Sequence, residues 1–217
     1  MDYFFAIDFD GTVAKSDVTD AVLEMFALPK WLEIEQIWQQ GMIGSQECLS
    51  KQFALIDAPL AEILTFVKDI EIDTTFIEFV RQLQQEKIPF AIISDGFQVF
   101  IEYILAQNGL SGLPVIANEL CSVNKKLVTT YPYSYARCKA GTCKCHTAKK
   151  AAQGLPVYLI GDGRSDFCLA SVADFVYAKA NLVDYCIQEN IPHYVYTDFR
   201  DIKENLRRQQ IEKNVIA

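Results

Sequence analysis

The sequence predicts an α/β protein with a parallel sheet flanked by helices and a helical insert after the first strand. Three short apolar runs, at 3–7, 89–93 and 156–160, show no alternation, which is typical of strands buried on both faces. Helical periods alternate with these runs, and this alternation favours parallel pairing of the strands. The predicted helices of this core span 73–87, 97–108 and 146–153.

The stretch 15–72 interrupts this alternation. It holds both tryptophans, Trp31 and Trp38, and amphipathic helical stretches, but no strand-like run. We therefore predict a core of residues 1–14 plus 73–217 and a helical cap of residues 15–72. Because the insert leaves directly after the first strand, it is expected to stand over the carboxyl edge of the sheet as a lid; a helical layer that only thickens the core is the alternative. The predicted cap helices span 17–27, 31–39, 45–55 and 59–68.

Less apolar segments complete the predicted sheet. Short strands are expected at 115–117, 175–177 and 194–196. Three tyrosines between 131 and 135 alternate as the residues of a strand or hairpin would. The charged segment 202–208 predicts a closing surface helix with a solvated face.

The composition is that of an ordinary globular chain of 217 residues, with 51% apolar and 22% charged residues. The 20 basic and 28 acidic residues give a net charge of −8, which argues against binding to nucleic acid or to an anionic membrane surface. No run reaches the ~20 apolar residues of a membrane span, and the N-terminus lacks the features of a secretory signal. The odd count of seven cysteines predicts reduced thiols and a cytoplasmic protein.

Acidic and hydroxyl residues follow the ends of the three apolar runs. These are Asp8 and Asp10 after the first run, Ser94 after the second, and Asp162 and Asp166 after the third. The carboxyl ends of parallel strands meet at one edge of a sheet, so these side chains are expected to converge there. Carboxylates packed together repel unless a cation neutralises them, and Mg²⁺ is the usual ion beside a phosphate. Helix N-capping explains any one of these acids but not the whole set.

The spacing of Asp8 and Asp10 around a bend allows both carboxylates to reach one ligand. One carboxylate can attack phosphorus and form an aspartyl phosphate. The other can protonate the leaving oxygen and then activate water. Gly11 allows the sharp turn, and its N–H can face a phosphoryl oxygen.

Three motifs in this order resemble those of the haloacid-dehalogenase-like hydrolases. The segment 8–12 (DFDGT) is similar to motif I, DxDGT; 94–96 (SDG) is similar to motif II; and 161–166 (GDGRSD) is similar to motif IV, GDGxxD. The resemblance covers nearly the whole chain. It implies a Rossmann-like core, a Mg²⁺ cofactor and, because an acid occupies the second motif I position, a phosphatase.

The resemblance also implies individual roles. Asp8 is then the nucleophile and a metal ligand, and Asp10 is the acid/base, with its backbone carbonyl on the metal. Ser94 holds the transferring phosphoryl group. Asp162 is a further Mg²⁺ ligand, and Asp166 holds a metal-bound water or the motif III lysine.

The motif III lysine offsets the charge of the nucleophile and of the phosphoryl group. It normally starts the helix before the motif IV strand, where Lys144 lies, although Lys149 and Lys150 are competitors further along the same helix. The remaining predicted substrate-binding residues belong to motifs I and II or to the cap: Gly11, Thr12, Asp95, Gly96, Asp17 and Gln52.

A helical insert between motifs I and II resembles the C1-cap group of this family. The group includes phosphatases of phosphoserine, of phosphocholine or phosphoethanolamine, and of the methionine-salvage intermediate 2-hydroxy-3-keto-5-methylthiopentenyl-1-phosphate. The segment 163–168 resembles the phosphocholine type, 138–144 resembles both that and the methionine-salvage type, and 29–31 resembles the methionine-salvage type. Phosphoserine phosphatases hold their substrate with a cap Glu and a cap Arg, which fall here near Asp17 and Gln52. Because an amide pairs poorly with a carboxylate, the methionine-salvage substrate is preferred.

Other interpretations stay open at this stage. Cys138, Cys143, Cys145 and His146 could bind zinc or form a local disulfide, although their spacing favours free thiols. A receiver-like phospho-acceptor domain and a scaffold that binds a phosphorylated ligand without hydrolysis are the non-enzymatic alternatives. The predicted partner is a small phosphorylated metabolite, for a protein acting as a monomer or homodimer.

Overall fold

A single seven-stranded sheet forms the centre of the protein in the computed structural model, which describes residues 3–216 and the side chains of all of these except 210 and 212–216. The outermost residues of the predicted core, 1–2 and 217, lie outside this range. The sheet order is β4-β3-β2-β1-β5-β6-β7, and every pairing except that of β3 with β4 is parallel. The strands are β1 (Phe4–Ile7), β2 (Phe90–Phe97), β3 (Val115–Val123), β4 (Lys126–Thr130), β5 (Val157–Gly161), β6 (Phe175–Ala178) and β7 (Tyr194–Val195).

The predicted α/β fold is confirmed, with the first apolar run as the central strand. In β1, Phe5 is in register with Phe90 of β2 and Tyr158 of β5. Phe5 packs into one apolar cluster, whereas Phe4 and Ala6 pack into a second cluster on the opposite face. Burial on both faces explains why this run lacks alternation.

Helices cover both faces of the sheet. Helices α5, α6 and α10 bury their apolar residues in the cluster that contains Phe5, and α7, α8 and α9 in the cluster that contains Phe4. None of the helices in the described part of the chain has the length and apolar character needed to cross a membrane. Their bounds are α5 (Thr74–Gln85), α6 (Gln98–Gln107), α7 (Lys144–Ala151), α8 (Phe167–Ala170), α9 (Asn181–Gln188) and α10 (Phe199–Ile216).

The stretch 15–72 folds into four helices. The chain passes from the core into this insert and back again at one place. Ala14 forms an antiparallel bridge with Ile72, and the N–H of Lys15 donates to the carbonyl of Glu71 at 3.0 Å. Apolar residues of these helices, Val22 and Ile63 among them, join the cluster that contains Phe5, so the insert packs on the core. The helices are α1 (Val18–Phe26), α2 (Trp31–Gln39), α3 (Ser45–Phe53) and α4 (Leu60–Val67).

The edge of the sheet beyond β2 departs from the sequence-based expectation. Strand β3 continues to Val123 and turns into the antiparallel β4 through Asn124 and Lys125, whose φ angles are 51° and 66°. This two-residue turn with both φ angles positive matches the twist of a hairpin. The prediction missed β4 because an edge strand needs no apolar run. The tyrosines at 131–135 lie after β4, outside any strand, so that prediction was wrong.

Candidate active site

A cavity of about 740 Å³ opens at the carboxyl edge of β1, β2 and β5. The core contributes the loops that follow these strands, as predicted from the positions of the acids. The insert contributes the opposite wall. Lining residues from the core include Asp8, Asp10, Gly11, Ser94, Asp95, Gly96 and Asp162, and those from the insert include Asp17, Asp20, Glu35, Trp38, Leu49 and Gln52.

Three carboxylates meet at the bottom of this cavity: Asp8 and Asp162 line it, and Asp166 lies fully buried beside them without lining it. Asp8, Asp162 and Asp166 each offer an oxygen, and these oxygens lie within 4.8 Å of one another. Asp8 and Asp166 are buried, and Asp162 is half-buried. A set of carboxylate oxygens at this spacing fits a hard divalent cation. The side chain of Asp10 is not in this group, so a role of its backbone carbonyl stays a prediction.

Lys144 lies against the cluster in the first turn of α7. Its Nζ is 2.6 Å from Oδ1 of Asp8 and 2.7 Å from Oδ1 of Asp166, and its side chain is 1% exposed. The competing Lys149 and Lys150 are exposed to solvent. Burial lowers the pKa of the Lys144 ammonium, but Asp166 and Asp8 outweigh it, and the net shift is upward. Lys144 therefore stays charged and offsets one of the buried carboxylates.

Asp166 directs its two oxygens to different partners. Oδ1 accepts from Lys144, while Oδ2 accepts the backbone N–H groups of Asp162 at 3.1 Å and Gly163 at 3.3 Å. Asp166 is thus bound to both the lysine and its own loop. Asp8 and Asp162 are left as the more open carboxylates of the cluster.

The carboxylate of Asp10 is held by Ser94 of motif II and by the start of helix α1. Its Oδ2 accepts from the Ser94 hydroxyl at 3.3 Å, and its Oδ1 accepts from the backbone N–H of Val18 at 2.8 Å. A Cβ on Gly96 would lie 2.8 Å from Oδ2 of Asp10, so a glycine is needed for this close approach.

Burial raises the pKa of several of these acids. It raises the pKa of Asp10 to about 8, with Asp17 adding to the effect, so Asp10 can donate a proton at neutral pH. Burial and the neighbouring Asp166 also raise the pKa of Asp8, and they raise the pKa of Asp162 to about 6. A cation at the cluster would oppose both of these shifts.

Gly11 and Thr12 shape the loop against Asp162. Gly11 has φ +67°, and a Cβ there would lie 2.3 Å from Oδ2 of Asp162. The Thr12 hydroxyl donates to Oδ1 of Asp162 at 3.3 Å. Thr12 is buried and does not line the cavity, in contrast to the other residues predicted from motif I.

We expect Gly11→Ala to weaken both the fold and cation binding. The positive φ and the clash with Asp162 together are expected to cost about 2–5 kcal/mol of unfolding free energy. Gly109→Ala is the matched control, since Gly109 has φ +70° but an added Cβ would meet nothing within 4 Å, so only the backbone strain of about 1–2 kcal/mol remains. Chemical denaturation and the shift in melting temperature on adding Mg²⁺ measure the two effects. Equal losses in the two variants would contradict this account.

Asp95 lines the cavity, but its carboxylate is engaged with the protein. It accepts from the Ser45 hydroxyl of α3, from the N–H of Thr142 at 2.8 Å and from Nδ2 of Asn118 at 3.2 Å. The hydroxyl of Thr142 in turn donates to Oδ1 of Asn118 at 3.1 Å. This network fixes the loop that leads into Lys144. Sequence reasoning missed both Asn118 and Thr142. The only signal was that Asn118 is a polar residue directly after the predicted strand 115–117.

The wall formed by the insert is acidic. Nε2 of Gln52 donates to Oε2 of Glu35 at 3.0 Å, and Oδ1 of Asp17 accepts the N–H of Asp20 at the start of α1. Partial removal from water, together with Asp17 and Glu35, raises the pKa of Asp20 to about 7. Among the lysine and arginine side chains that the structure describes, none forms a salt bridge with Asp17, Asp20 or Glu35. Sequence reasoning pointed to Asp17 and Gln52 but missed the other two acids.

The cysteines near α7 are free thiols, like the others in the chain. The Sγ atoms of Cys143 and Cys145 are 3.5 Å apart, and His146 stacks on Tyr135 with ring centroids 4.2 Å apart. Among the described residues, the only set of three or more His, Cys, Asp and Glu side chains close enough to share a metal ion consists of Asp8, Asp162 and Asp166. The side chains near α7 therefore form neither a candidate zinc site nor a disulfide in this structure.

The fold and the site together define a hydrolase with an α/β fold in which Asp8 directly follows the central strand of the sheet. The chain belongs to the haloacid dehalogenase-like hydrolase family, whose family model matches residues 5–171. The predicted family, fold and phosphatase class are confirmed by this match and by the relatives described next. The receiver-like alternative is thereby set aside.

Several similar proteins are phosphatases. The 2-hydroxy-3-keto-5-methylthiopentenyl-1-phosphate phosphatase of Brevibacillus brevis is 32% identical over 216 residues, covering 96% of each chain. The enzyme of the same name from Bacillus cereus is 30% identical, covering 92% of this chain and 94% of its own. A solved phosphoserine phosphatase with a phospho-aspartyl intermediate analogue has a TM-score of 0.71 at 19% identity, covering 94% of this chain and 98% of that one. At that identity the last comparison shows a shared fold.

Proposed function

We propose that this protein is a Mg²⁺-dependent phosphomonoester phosphatase that hydrolyses 2-hydroxy-3-keto-5-methylthiopentenyl-1-phosphate. The observation that carries the proposal is the contact of Asp8 with Lys144 beside Asp162 and Asp166, at the floor of a cavity that also holds Asp10. A buried carboxylate paired with a cation at this position is suited to attack phosphorus.

The chemistry needs two steps. Asp8 attacks phosphorus to form an acyl phosphate while the ester P–O bond breaks, and Asp10 gives its proton to the leaving alcohol oxygen. Asp10, now a carboxylate, takes a proton from water as the water attacks the phosphoryl group, which releases phosphate and restores Asp8. Lys144 offsets the negative charge at Asp8, and Ser94 and the N–H of Gly11 would hold phosphoryl oxygens.

Asp8 and Asp162, with Asp166 beside them, would hold the Mg²⁺ ion, and the backbone carbonyl of Asp10 would complete the protein ligands. The oxygen-only donor set and its negative charge fit this hard cation. When bound, the ion would neutralise negative charge on the phosphoryl group.

The substrate proposal is supported by the acidic wall as well as by the relatives. A substrate such as phosphoserine would bring an ammonium group, which suits Asp17, Asp20 and Glu35, but also a carboxylate, which needs a cation. The cations that line the cavity are engaged elsewhere: Lys15 pairs with Glu71, and Arg164 bonds the carbonyl of Gln39, while Gln52 is hydrogen-bonded to Glu35. The side chains of Trp38 and Leu49 offer apolar surface for an uncharged methylthio chain.

We further propose that residues 15–72 act as the cap over a core of residues 1–14 and 73–217. The single crossing point at Ala14 and Ile72 and the lining of the cavity by both parts support this division. All residues named in the site come from one chain, so a monomer and a homodimer both fit the proposal. Free thiols at all seven cysteines fit a cytoplasmic location.

The substrate proposal predicts a large difference between two phosphate esters. With Mg²⁺ present, we expect kcat/KM for the methionine-salvage enol phosphate to exceed that for phosphoserine by at least about 100-fold, or roughly 2.7 kcal/mol, because the wall formed by the insert leaves the phosphoserine carboxylate without a cation. Phosphate release measures both rates, and p-nitrophenyl phosphate serves as the control for general activity. A preference for phosphoserine would overturn the substrate, and silence on all three esters would overturn the phosphatase itself.

A further inference from the structure

Arg164 lies in the loop between β5 and α8 and lines the cavity, and its side chain reaches helix α2. One of its terminal nitrogens, Nη1, donates to the carbonyl of Gln39 at 2.6 Å. Its guanidinium carbon lies 5.1 Å from the centroid of the Trp38 ring. The side chain therefore joins the loop that carries Asp162 to the end of helix α2.

The carbonyl of Gln39 is a suitable acceptor because Gln39 is the last residue of α2. The final carbonyls of a helix have no partner within the helix, and a cation is favoured at this end of the helix dipole. Gly41, just beyond the helix, passes so close that a Cβ there would lie 3.6 Å from the other guanidinium nitrogen. The guanidinium can bond the carbonyl in its plane while its face covers the Trp38 ring, a combination that an ammonium cannot reproduce.

Helix α2 forms fewer side-chain hydrogen bonds to the core than helix α3 does. Helix α3 is tied to the core by the Ser45–Asp95 contact and by the 2.7 Å contact between the hydroxyls of Ser50 and Tyr131. By contrast, Trp31 is the only buried residue of α2. In the part of the chain that the structure describes, Arg164 provides the only side-chain hydrogen bond between α2 and residues outside the insert.

We propose that Arg164 is a positioning residue that latches helix α2 over the active cavity. Arg164 lies in the same loop as Asp162 and Asp166. The latch therefore links the proposed cation site to helix α2. Opening the latch moves Glu35 and Trp38 away from the cavity and lets ligands enter and leave. This inference rests on the proposed function only in taking the cavity as the substrate site.

Trp38 itself reports on the latch. The chain has two tryptophans, so Trp31→Phe leaves Trp38 as the single tryptophan fluorophore, under the guanidinium. In this background we expect Arg164→Ala to raise the acrylamide quenching constant of Trp38 at least 2-fold, with Arg164→Lys intermediate. Arg81→Ala, which replaces an exposed arginine on α5, is the matched control and should leave quenching unchanged.

Measuring kcat and KM for Arg164→Ala, without the Trp31→Phe substitution, distinguishes a latch from a merely structural role of Arg164. With p-nitrophenyl phosphate and Mg²⁺, Arg164→Ala is expected to raise KM about 10-fold while kcat changes less than 3-fold, because closure of α2 is affected and the chemistry is not. Unchanged quenching, with or without a rise in KM, would overturn the latch, and a rise in KM alone would assign Arg164 to direct substrate contact. A loss of kcat without a change in KM would also overturn the latch. The quenching measurement needs no turnover, so failure of the phosphatase proposal would be seen separately as inactivity of every variant.

Discussion

Replacing Asp8 with asparagine is expected to lower phosphatase turnover by roughly 10³- to 10⁶-fold, the range seen when a nucleophile is removed from a site whose other groups remain. A carboxamide cannot form the acyl phosphate, and among the described residues no other carboxylate has the place of Asp8 beside Lys144 at the open floor of the cavity. The side chain keeps its size, and Lys144 keeps Asp166 as a partner, so the fold should be retained. Steady-state phosphate release and the circular dichroism spectrum measure the two expectations.

The matched control for this substitution is Asp57→Asn, which changes an exposed acid in the insert. Its turnover should equal that of the wild type. Acid quenching of the wild-type enzyme during turnover of a ³²P-labelled ester should place the label on the peptide that contains Asp8. Substantial turnover in Asp8→Asn, or a label on another peptide, would move the nucleophile elsewhere.

Replacing Lys144 with methionine is expected to destabilise the protein strongly. Methionine leaves Asp8 and Asp166 buried without their shared cation, and loss of one partner from a buried ion pair costs about 3–5 kcal/mol. For a chain of this size that corresponds to a fall in melting temperature of roughly 6–20 °C. Thermal and urea denaturation in the absence of divalent cations measure the loss.

Two further measurements test the electrostatic origin of this loss. Lys149→Met changes an exposed lysine of the same helix and should alter stability by no more than about 0.5 kcal/mol. Mg²⁺ should stabilise Lys144→Met more than it stabilises the wild type, because a bound cation replaces the missing positive charge. If both lysine variants melted together, or if Mg²⁺ stabilised both proteins equally, charge compensation by Lys144 would be disproved.

The convergence of the acids was predictable because it follows from local sequence signals. An apolar run without alternation identifies a buried strand, and the carboxyl ends of parallel strands lie at one edge of a sheet. Asp8, Ser94 and Asp162 each follow such a run, so their meeting did not depend on knowing the loops in detail. Lys144 was assigned through the family resemblance, because the motif III lysine normally starts the helix before the motif IV strand.

The interactions that surround these residues were not predictable from the same signals. Asn118 and Thr142 hold Asp95 through contacts between segments that are far apart in the sequence. The pairing of Gln52 with Glu35 depends on how α3 packs against α2, and the contact of Arg164 with Trp38 depends on where α2 ends over the loop. Isolated polar residues in loops and on helix surfaces do not recur at a regular spacing, so the sequence does not predict their partners.

The sequence alone determined the alternation of the core strands and helices, the edge at which the aspartates meet and the type of chemistry they allow, since these follow from burial patterns and residue types along short stretches of chain. Only the tertiary structure decided the edge strand β4 and the groups that surround that chemistry: the raised pKa of Asp10, the acidic wall opposite Asp8 and the contact between Arg164 and α2. These depend on the distances between charges and on their removal from water, and both quantities are fixed only when separate segments pack together.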